Sequence, residues 1–320
     1  MSEFDLITRY FTRAANPSNA VALGIGDDCA LLHGTSLHQA ISTDMLVEGR
    51  HFFVNADPRL LGHKSLAVNL SDLAAMGARP VGFTLALSLP EVDDAWLRPF
   101  SDGLFQLADQ FDCPLIGGDT TKGPRVICIT VLGEVEQGKS LRRDAAQIGD
   151  DIWVSGALGE ARLALAHRRG ELKLDDVVLA IAALRMDAPT PRIALGRALI
   201  DIAHAAIDIS DGLAGDLGHI LQRSHLGARC RLDALPVGPA LQSQPSSRQQ
   251  EFCVSGGDDY ELCFTAPTSR RAAVLSAAQK TGVAITCIGT IEAQPGLRWQ
   301  QADGTLLDHT MPSFDHFLTL

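Results

Sequence analysis

The chain has 320 residues, 46% of them hydrophobic, which suits one large domain or, better, two of ordinary size. Its 27 Lys and Arg against 38 Asp and Glu leave a net charge of -11. That balance excludes nucleic acid as the main partner, because a phosphate backbone needs clustered cations. Seven cysteines, Cys29, Cys113, Cys128, Cys230, Cys253, Cys263 and Cys287, stand singly in apolar stretches with no C-x-x-C pair. This is the usage of small buried hydrophobes in a reducing compartment rather than of a disulfide framework. The opening MSEFDLITRYF is acidic and amphipathic, unlike a signal peptide, and no apolar run approaches the ~20 residues that span a bilayer. A cytoplasmic protein without membrane partners is expected.

In chain order, Phe4, Ile7 and Phe11 form one stripe of a helix over 3–15. A turn at Gly24–Asp28 precedes a strand at 40–43. A helix is expected from Pro58 to the stop at Gly77, a strand over 81–89 and a helix over 93–111. Apolar runs at 114–116 and 126–132 complete an α+β first half. After Ile148-Gly149-Asp150 the pattern restarts with a strand at 152–154 and helices near 159–169, 176–186 and 192–204. A strand at 206–209 then feeds a helix from Leu213. Segments 228–237, 251–254, 260–266, 284–292 and 296–307 are strand candidates, with a helix over 269–280. The order predicts two α+β domains, 1–149 and 150–320.

Two phosphate sites compete. Gly133-Glu134-Val135-Glu136-Gln137-Gly138-Lys139-Ser140 spells the P-loop pattern G-x-x-x-x-G-K-S. Two glutamates inside it would repel phosphate, and under two turns of chain precede Gly149, too few for the flanking helix. The rival is a scattered set of aspartates beside glycines or at the ends of apolar runs: Gly26-Asp27-Asp28, Ser42-Thr43-Asp44, Ser71-Asp72, Gly117-Gly118-Asp119, Asp208-Ile209-Ser210-Asp211 and Gly257-Asp258-Asp259. Asp beside Gly is commonly a turn former, and Asp150 and Asp151 are assigned that role. Asp72 differs, standing among apolar residues of a helix, and Asp44 and Asp208 close apolar strands. Carboxylates gathered in one cleft need cations between them, and Mg²⁺ bridging carboxylate to phosphate supplies them.

At these residues the chain resembles the thiamine-monophosphate kinase family. The matching segments are Gly24–Ala30, Ile41–Asp44, Asn69–Ala78, Ile116–Thr121, Ile207–Leu213 and Asp259–Leu262, in the family's order. The resemblance implies a two-domain aminoimidazole ribonucleotide synthetase-like fold, dimerisation through N-terminal sheets, and a C-terminal domain that completes the active site. It implies the reaction ATP + thiamine monophosphate → ADP + thiamine diphosphate, with several Mg²⁺ ions. On matching positions Asp28, Ser42, Thr43, Asp44, Asp72, Asp119, Asp208 and Asp211 would serve the ions. Gly118, Asp119, Arg143 and Ser210 would contact ATP, and His51, Asp258 and Phe314 the thiamine phosphate. Asp44, Asp119, Asp211 and Arg143 would carry catalysis. The family commonly has Glu at the position of Asp258 and Tyr or Trp at Phe314, so this chain departs at the substrate end.

The acceptor phosphate is already anionic, so in-line transfer needs positioning and charge neutralisation rather than a general base. The rivals within the superfamily fit less well. A selenophosphate synthetase would need a reactive cysteine near the start, and the hydrogenase-maturation relative a C-terminal cysteine; this chain ends Phe317-Leu318-Thr319-Leu320. A catalytically silent nucleotide-binding regulator would not need the full acidic set.

Overall fold

The computed structural model describes residues 7–11, 21–23, 31–32 and 36–307. The helix expected over 3–15 is therefore described only as the helical turn Ile7–Phe11. Asp28 and Phe314 lie outside the described residues. The chain divides into two compact units, Met1–Leu73 with Ala78–Gly138, and Ala74–Gly77 with Lys139–Leu320.

In the first unit a small antiparallel pair, β1 (Val21–Leu23) and β2 (Leu31–Leu32), precedes β3 (His38–Val47). Helix α1 (Pro58–Ala75), β4 (Arg79–Leu89), α2 (Asp94–Gln110), β5 (Leu115–Lys122) and β6 (Val126–Val135) follow. The sheet runs β3-β6-β4-β5, antiparallel except for the parallel β4–β5 edge. Both helices start where a carboxylate can take the orphan amides. Asp57 accepts from Arg59 N at 2.8 Å and Leu60 N at 3.1 Å, and Asp93 from Ala95 N at 2.9 Å. Where the helices cross, the backbones touch. A Cβ on Gly62 would lie 2.0 Å from the Phe100 carbonyl oxygen, and one on Gly103 1.9 Å from that of Arg59. Leu73 of α1 lies 2.9 Å from where a Cβ on Gly133 would sit, so α1 rests on the sheet face that carries Phe83, Leu85 and Leu87. On the opposite face Ile41 is 65% and Met45 56% exposed.

Gly133, Glu134 and Val135 are the last residues of β6, in register with Ala40, Gln39 and His38. Glu134 is buried and pairs with Arg79 at 2.5 Å. Residues 136–140 form a turn, and the next helix starts only at Glu160. A P-loop cradles phosphate on a helix N-terminus that this segment lacks, so the pattern match carries no site. Lys139 instead meets Asp201 at 2.5 Å on the surface. Lys139→Ala is expected to leave the KM for ATP within about twofold of the parent, since a surface pair contributes ~0–1 kcal/mol. Loss of ATP binding in that variant would reinstate the P-loop.

The second unit contains β7 (Asp151–Ser155), α3 (Glu160–Arg168), α4 (Asp176–Asp187), α5 (Ile193–Ala198), β8 (Ala205–Asp208), α6 (Leu213–Ser224) and β9 (Gly227–Arg231). It continues with α7 (Ser246–Ser255), β10 (Leu262–Ala266), α8 (Arg271–Thr281), β11 (Ile285–Glu292) and β12 (Gly296–Gln300). The sheet order is β12-β9-β11-β7-β10-β8, with β12–β9 its one parallel pair. Strands β7, β8 and β10 are buried along their whole length, in keeping with their apolar runs at 152–154, 205–207 and 262–264. Trp153 of β7 stacks on Phe264 of β10 at 6.4 Å.

Two expectations are corrected. The strand candidate 251–254 is the last turn of α7, whose buried face is Phe252, Cys253 and Val254. A short apolar run does not by itself distinguish a strand from a buried helix turn, and Ser246–Glu251 supply the solvated turns. Asp150 and Asp151 are not simple turn formers but buried anchors. Asp150 accepts from Gln147 N at 3.0 Å and Thr265 Oγ1 at 3.1 Å and meets His204 Nδ1 at 2.9 Å. Asp151 holds the Arg271 guanidinium at 2.5 and 2.8 Å. Buried carboxylates persist only when paired in this way.

Candidate active site

In the first unit, β3 alternates. Ser42, Asp44 and Leu46 face α1, while Ile41, Thr43 and Met45 face the open side. Ser42 Oγ donates to the Asp72 carboxylate on α1. One turn earlier on that helix, Asn69 Oδ1 accepts from Asp44 N at 3.2 Å, while Asn69 Nδ2 donates to Ser65 O at 3.0 Å. Asn69 and Asp72, three residues apart, thus present one polar face to the β3 edge. The sequence pattern alone assigns Asn69 no role; its three-residue spacing from Asp72 is the signal that points to it.

Thr43 turns the other way and shares a hydrogen bond with Thr130 at 2.8 Å. Asp119 is on that open face too. The register aligns Asp119 with Ala86 and Ala86 with Cys128, two residues along from the rung of Thr84 and Thr130 and so on the same face. Gly118, just before it, is demanded by crowding, since a Cβ there would meet the Leu85 carbonyl oxygen at 2.0 Å. Asp44 and Asp119 therefore occupy opposite edges and opposite faces of the sheet, three strand spacings or about 14 Å apart. Mg²⁺ holds oxygens at about 2.1 Å, so these two acids of one copy cannot share an ion.

His51 sits in the turn after β3, where His51 N donates to Val47 O at 2.9 Å and Val47 N donates to His51 Nδ1 at 3.0 Å. A ring nitrogen that accepts carries no proton, which leaves the N–H on Nε2 as a donor suited to an anionic oxygen. The turn is braced by Arg125, which pairs with Glu48 and lies 4.8 Å above the Trp96 ring.

In the second unit, Asp208 ends β8 opposite Leu262 of β10. Beyond that pair the two chains stay zipped. Ile209 N donates to Glu261 O at 2.8 Å, Tyr260 N to Ile209 O at 2.8 Å and Asp258 N to Ser210 O at 2.9 Å. The zipper brings Asp208, Ser210, Asp211 and Asp258 together. It also holds Asp258 at φ 69 and Tyr260 at φ 48, a left-handed conformation that non-glycine residues rarely adopt. Tyr260 OH donates to Asp258 Oδ1 at 3.2 Å. From α6, the buried Asp216 accepts from Ser210 N at 3.0 Å and Asp211 N at 3.1 Å. Burial and the Asp211 charge push the Asp216 carboxyl up to about 7, while those two amides and the Arg143 charge pull it back. Arg143 is thus within electrostatic reach of this turn, and its own backbone is tied to α6, with Ser224 Oγ donating to Arg143 O at 2.9 Å.

Behind the zipper lies an acid network that sequence reasoning missed. Glu261 takes Arg192 Nε at 2.7 Å, a second bond from Arg192 Nη2, and Ser155 Oγ at 2.5 Å. Gly156 makes room for it, because a Cβ there would stand 1.9 Å from Glu261 Oε1. The half-buried Asp259 accepts from Gly159 N at 3.0 and 3.1 Å. Burial pushes its carboxyl well above the ordinary value; the Gly159 amide opposes this, and Glu261, Asp258 and Glu160 add to it. The unfolded carboxyl ionises near its usual ~4 while the folded one still holds its proton, so stability falls as pH rises through that interval. Asp259→Asn keeps the acceptor for Gly159 without the ionisation. Its melting temperature is expected to match the parent near pH 4 and to exceed it increasingly as the pH rises above that. A difference that does not vary with pH would refute the protonated state.

Among the described residues no group of three or more carboxylates, imidazoles or thiols stands ready to hold a metal ion. The pairs just described are carboxylate and hydroxyl oxygens, the hard donors that Mg²⁺ prefers. Mg²⁺ is usually held by one or two protein carboxylates with waters and substrate phosphates, so such pairs fit it. No helix among the described residues is long and apolar enough to cross a membrane.

The AIR synthase related protein N-terminal domain family matches residues 26–135, and the C-terminal domain family of the same name matches residues 147–300. The chain is 47% identical to the thiamine-monophosphate kinases of Salmonella typhimurium and Escherichia coli K12, over 99% of its own length and 98% of theirs. The crystal structure of thiamine-monophosphate kinase from Stenotrophomonas maltophilia is 46% identical with a TM-score of 0.84, covering 90% of this chain and 93% of that one. A structure described as AaThiL complexed with AMPPCP and TMP is 30% identical with a TM-score of 0.78, covering 92% of each chain. Structures of the hydrogenase maturation protein HypE, 21% identical at TM-scores of 0.77 and 0.75, share the fold alone. Matched in both halves and along its whole length, the chain belongs to the thiamine-monophosphate kinase family of AIR synthase related proteins.

Proposed function

We propose that the protein transfers the γ-phosphoryl group of ATP in line to the phosphate of thiamine monophosphate, giving thiamine diphosphate and ADP. The observation that carries this reading is 47% identity to thiamine-monophosphate kinases over the full length. It is supported by the relative described in complex with AMPPCP and TMP, AMPPCP being an ATP analogue that cannot release its γ-phosphoryl group.

In this reading the first unit supplies Asp28, Ser42, Thr43, Asp44, Asp72 and Asp119 to the Mg²⁺ ions, with Gly118 and Asp119 also against ATP. The second unit supplies Asp208 and Asp211 to the ions and Ser210 and Arg143 to the nucleotide. The Ser210 and Asp211 amides are spent on Asp216, so Ser210 reaches ATP through its hydroxyl. Arg143 offers a cationic fork to phosphate. His51, with its Nε2–H donor, and Asp258 and Phe314 take the thiamine phosphate. Held by these acids, Mg²⁺ would supply the charge neutralisation that two polyanionic reactants require. The separation of Asp44 and Asp119 supports their serving different ions, in keeping with the need for several. A homodimer joined through the open face of the first unit's sheet, where Ile41 and Met45 are exposed, and a place in the cytoplasm complete the reading.

The deciding experiment measures ADP release and product identity with thiamine monophosphate and with free thiamine, each with and without Mg²⁺. Turnover of thiamine monophosphate only, and only with Mg²⁺, is expected. Phosphorylation of free thiamine alone would refute the assigned substrate.

A further inference from the structure

We propose that Asp216 is a positioning residue that occupies the anion-binding nest of the Ser210–Asp211 turn, so that the turn offers ligands its side chains and not its amides. The inference rests on the reading of that turn as part of the ATP and Mg²⁺ site. Consecutive backbone N–H groups ahead of a helix are a ready phosphate cradle. Here the cradle lies just before α6, and a carboxylate of the protein fills it. One oxygen, Asp216 Oδ2, accepts both Ser210 N at 3.0 Å and Asp211 N at 3.1 Å, and the residue is only 3% exposed. Gly212, which precedes the helix at φ 109, has no side chain that could cap it instead.

On its other side the turn is pinned by its carbonyls, those of Ile209 and Ser210 accepting from Tyr260 N and Asp258 N. Amides and carbonyls are thus fixed from two sides, by α6 and by the segment leading into β10. The backbone keeps no freedom to turn its N–H groups towards a ligand. Ser210 and Asp211, both half-buried, are thereby held at a fixed spacing, which sets where their side chains can meet a ligand.

Because a single oxygen does the work, Asp216→Asn can place its amide oxygen there and preserve both bonds without the charge. Asp216→Glu keeps the charge but, one methylene longer, displaces the turn. Asp216→Ala removes both. Amide hydrogen exchange of Ser210 and Asp211 in the ligand-free protein should be parent-like in Asp216→Asn and at least about tenfold faster in Asp216→Ala. Calorimetric binding of AMPPCP with Mg²⁺ should stay within about threefold of the parent for Asn and weaken about tenfold for Glu and Ala. In turnover the loss should enter the KM for ATP rather than that for thiamine monophosphate. Stronger binding by the Glu variant than by the Asn variant would overturn the proposal, since charge rather than position would then matter. So would parent-like exchange in the Ala variant. If Asp216→Ala does not fold, the Asn and Glu variants still decide. If the parent itself fails to bind AMPPCP with Mg²⁺, the nucleotide reading falls, while the exchange comparison still tests the positioning.

Discussion

Asp44→Asn is expected to lower kcat by about 10³-fold or more with the fold intact, the scale at which a charge-stabilising group is lost from a phosphoryl-transfer site. The substitution keeps the size of the side chain and the strand's pairing with β6. It also keeps the bond from residue 44 N to Asn69, so only the charge is removed. Asp44 lies on the same face of β3 as Ser42, whose hydroxyl donates to the Asp72 carboxylate, so in the proposed site both acids would serve Mg²⁺. Circular dichroism and melting temperature should match the parent while turnover is measured across a Mg²⁺ titration. Near-parental turnover at saturating Mg²⁺ would sink the carboxylate reading of this edge.

The second large effect is on stability. Glu261→Ala leaves Arg192, itself largely buried, without its bidentate partner, and Ser155 without its acceptor. Breaking a buried pair by removing one member costs about 3–5 kcal/mol. In a unit of this size that corresponds to a fall in melting temperature of about 10 °C. Activity should suffer beyond the loss of folded protein, because the Glu261 carbonyl begins the zipper that places Asp258 and Ser210. Glu261→Gln, which keeps the shape and part of the bonding, should lose less than half as much. A melt of the Ala variant within 2 °C of the parent, on that ~10 °C scale, would show the network to be ornamental.

The contrast between Asp44 and Asp216 shows what could be read from the chain. Strand ends and Gly-Asp turns marked Asp44, Asp119, Asp208 and Asp211, because an acid closing an apolar run is conspicuous in one dimension. Helix α1 was legible from Pro58 and Gly77, and it ends at Ala75. Partnership was not legible. Which face Thr43 or Asp119 occupies depends on sheet register, and which amides Asp216 holds depends on the backbone turning back over the helix start. Asp259 and Glu261 were read only as part of a motif, since burial is created by packing that no local pattern encodes. The match at Gly133–Ser140 failed for the same reason: a pattern of letters does not specify whether a helix follows. Near Glu251–Val254 the error was one of period, a run too short to separate strand from helix.

The crossing of α1 and α2, where Gly62 meets the Phe100 carbonyl and Gly103 that of Arg59, has a consequence for how variants of this enzyme will fail. Gly62 lies two turns before Asn69 on the same rigid helix, about 10 Å along its axis. Any side chain added at the crossing must force the helices apart, because the obstacle is a carbonyl and not a movable side chain. A stiff rod displaced at one end moves at the other, so Asn69 and Asp72 would leave their stations beside Asp44 and Ser42. Position 62 is a fulcrum: an alanine there would misplace two groups of the proposed site at once.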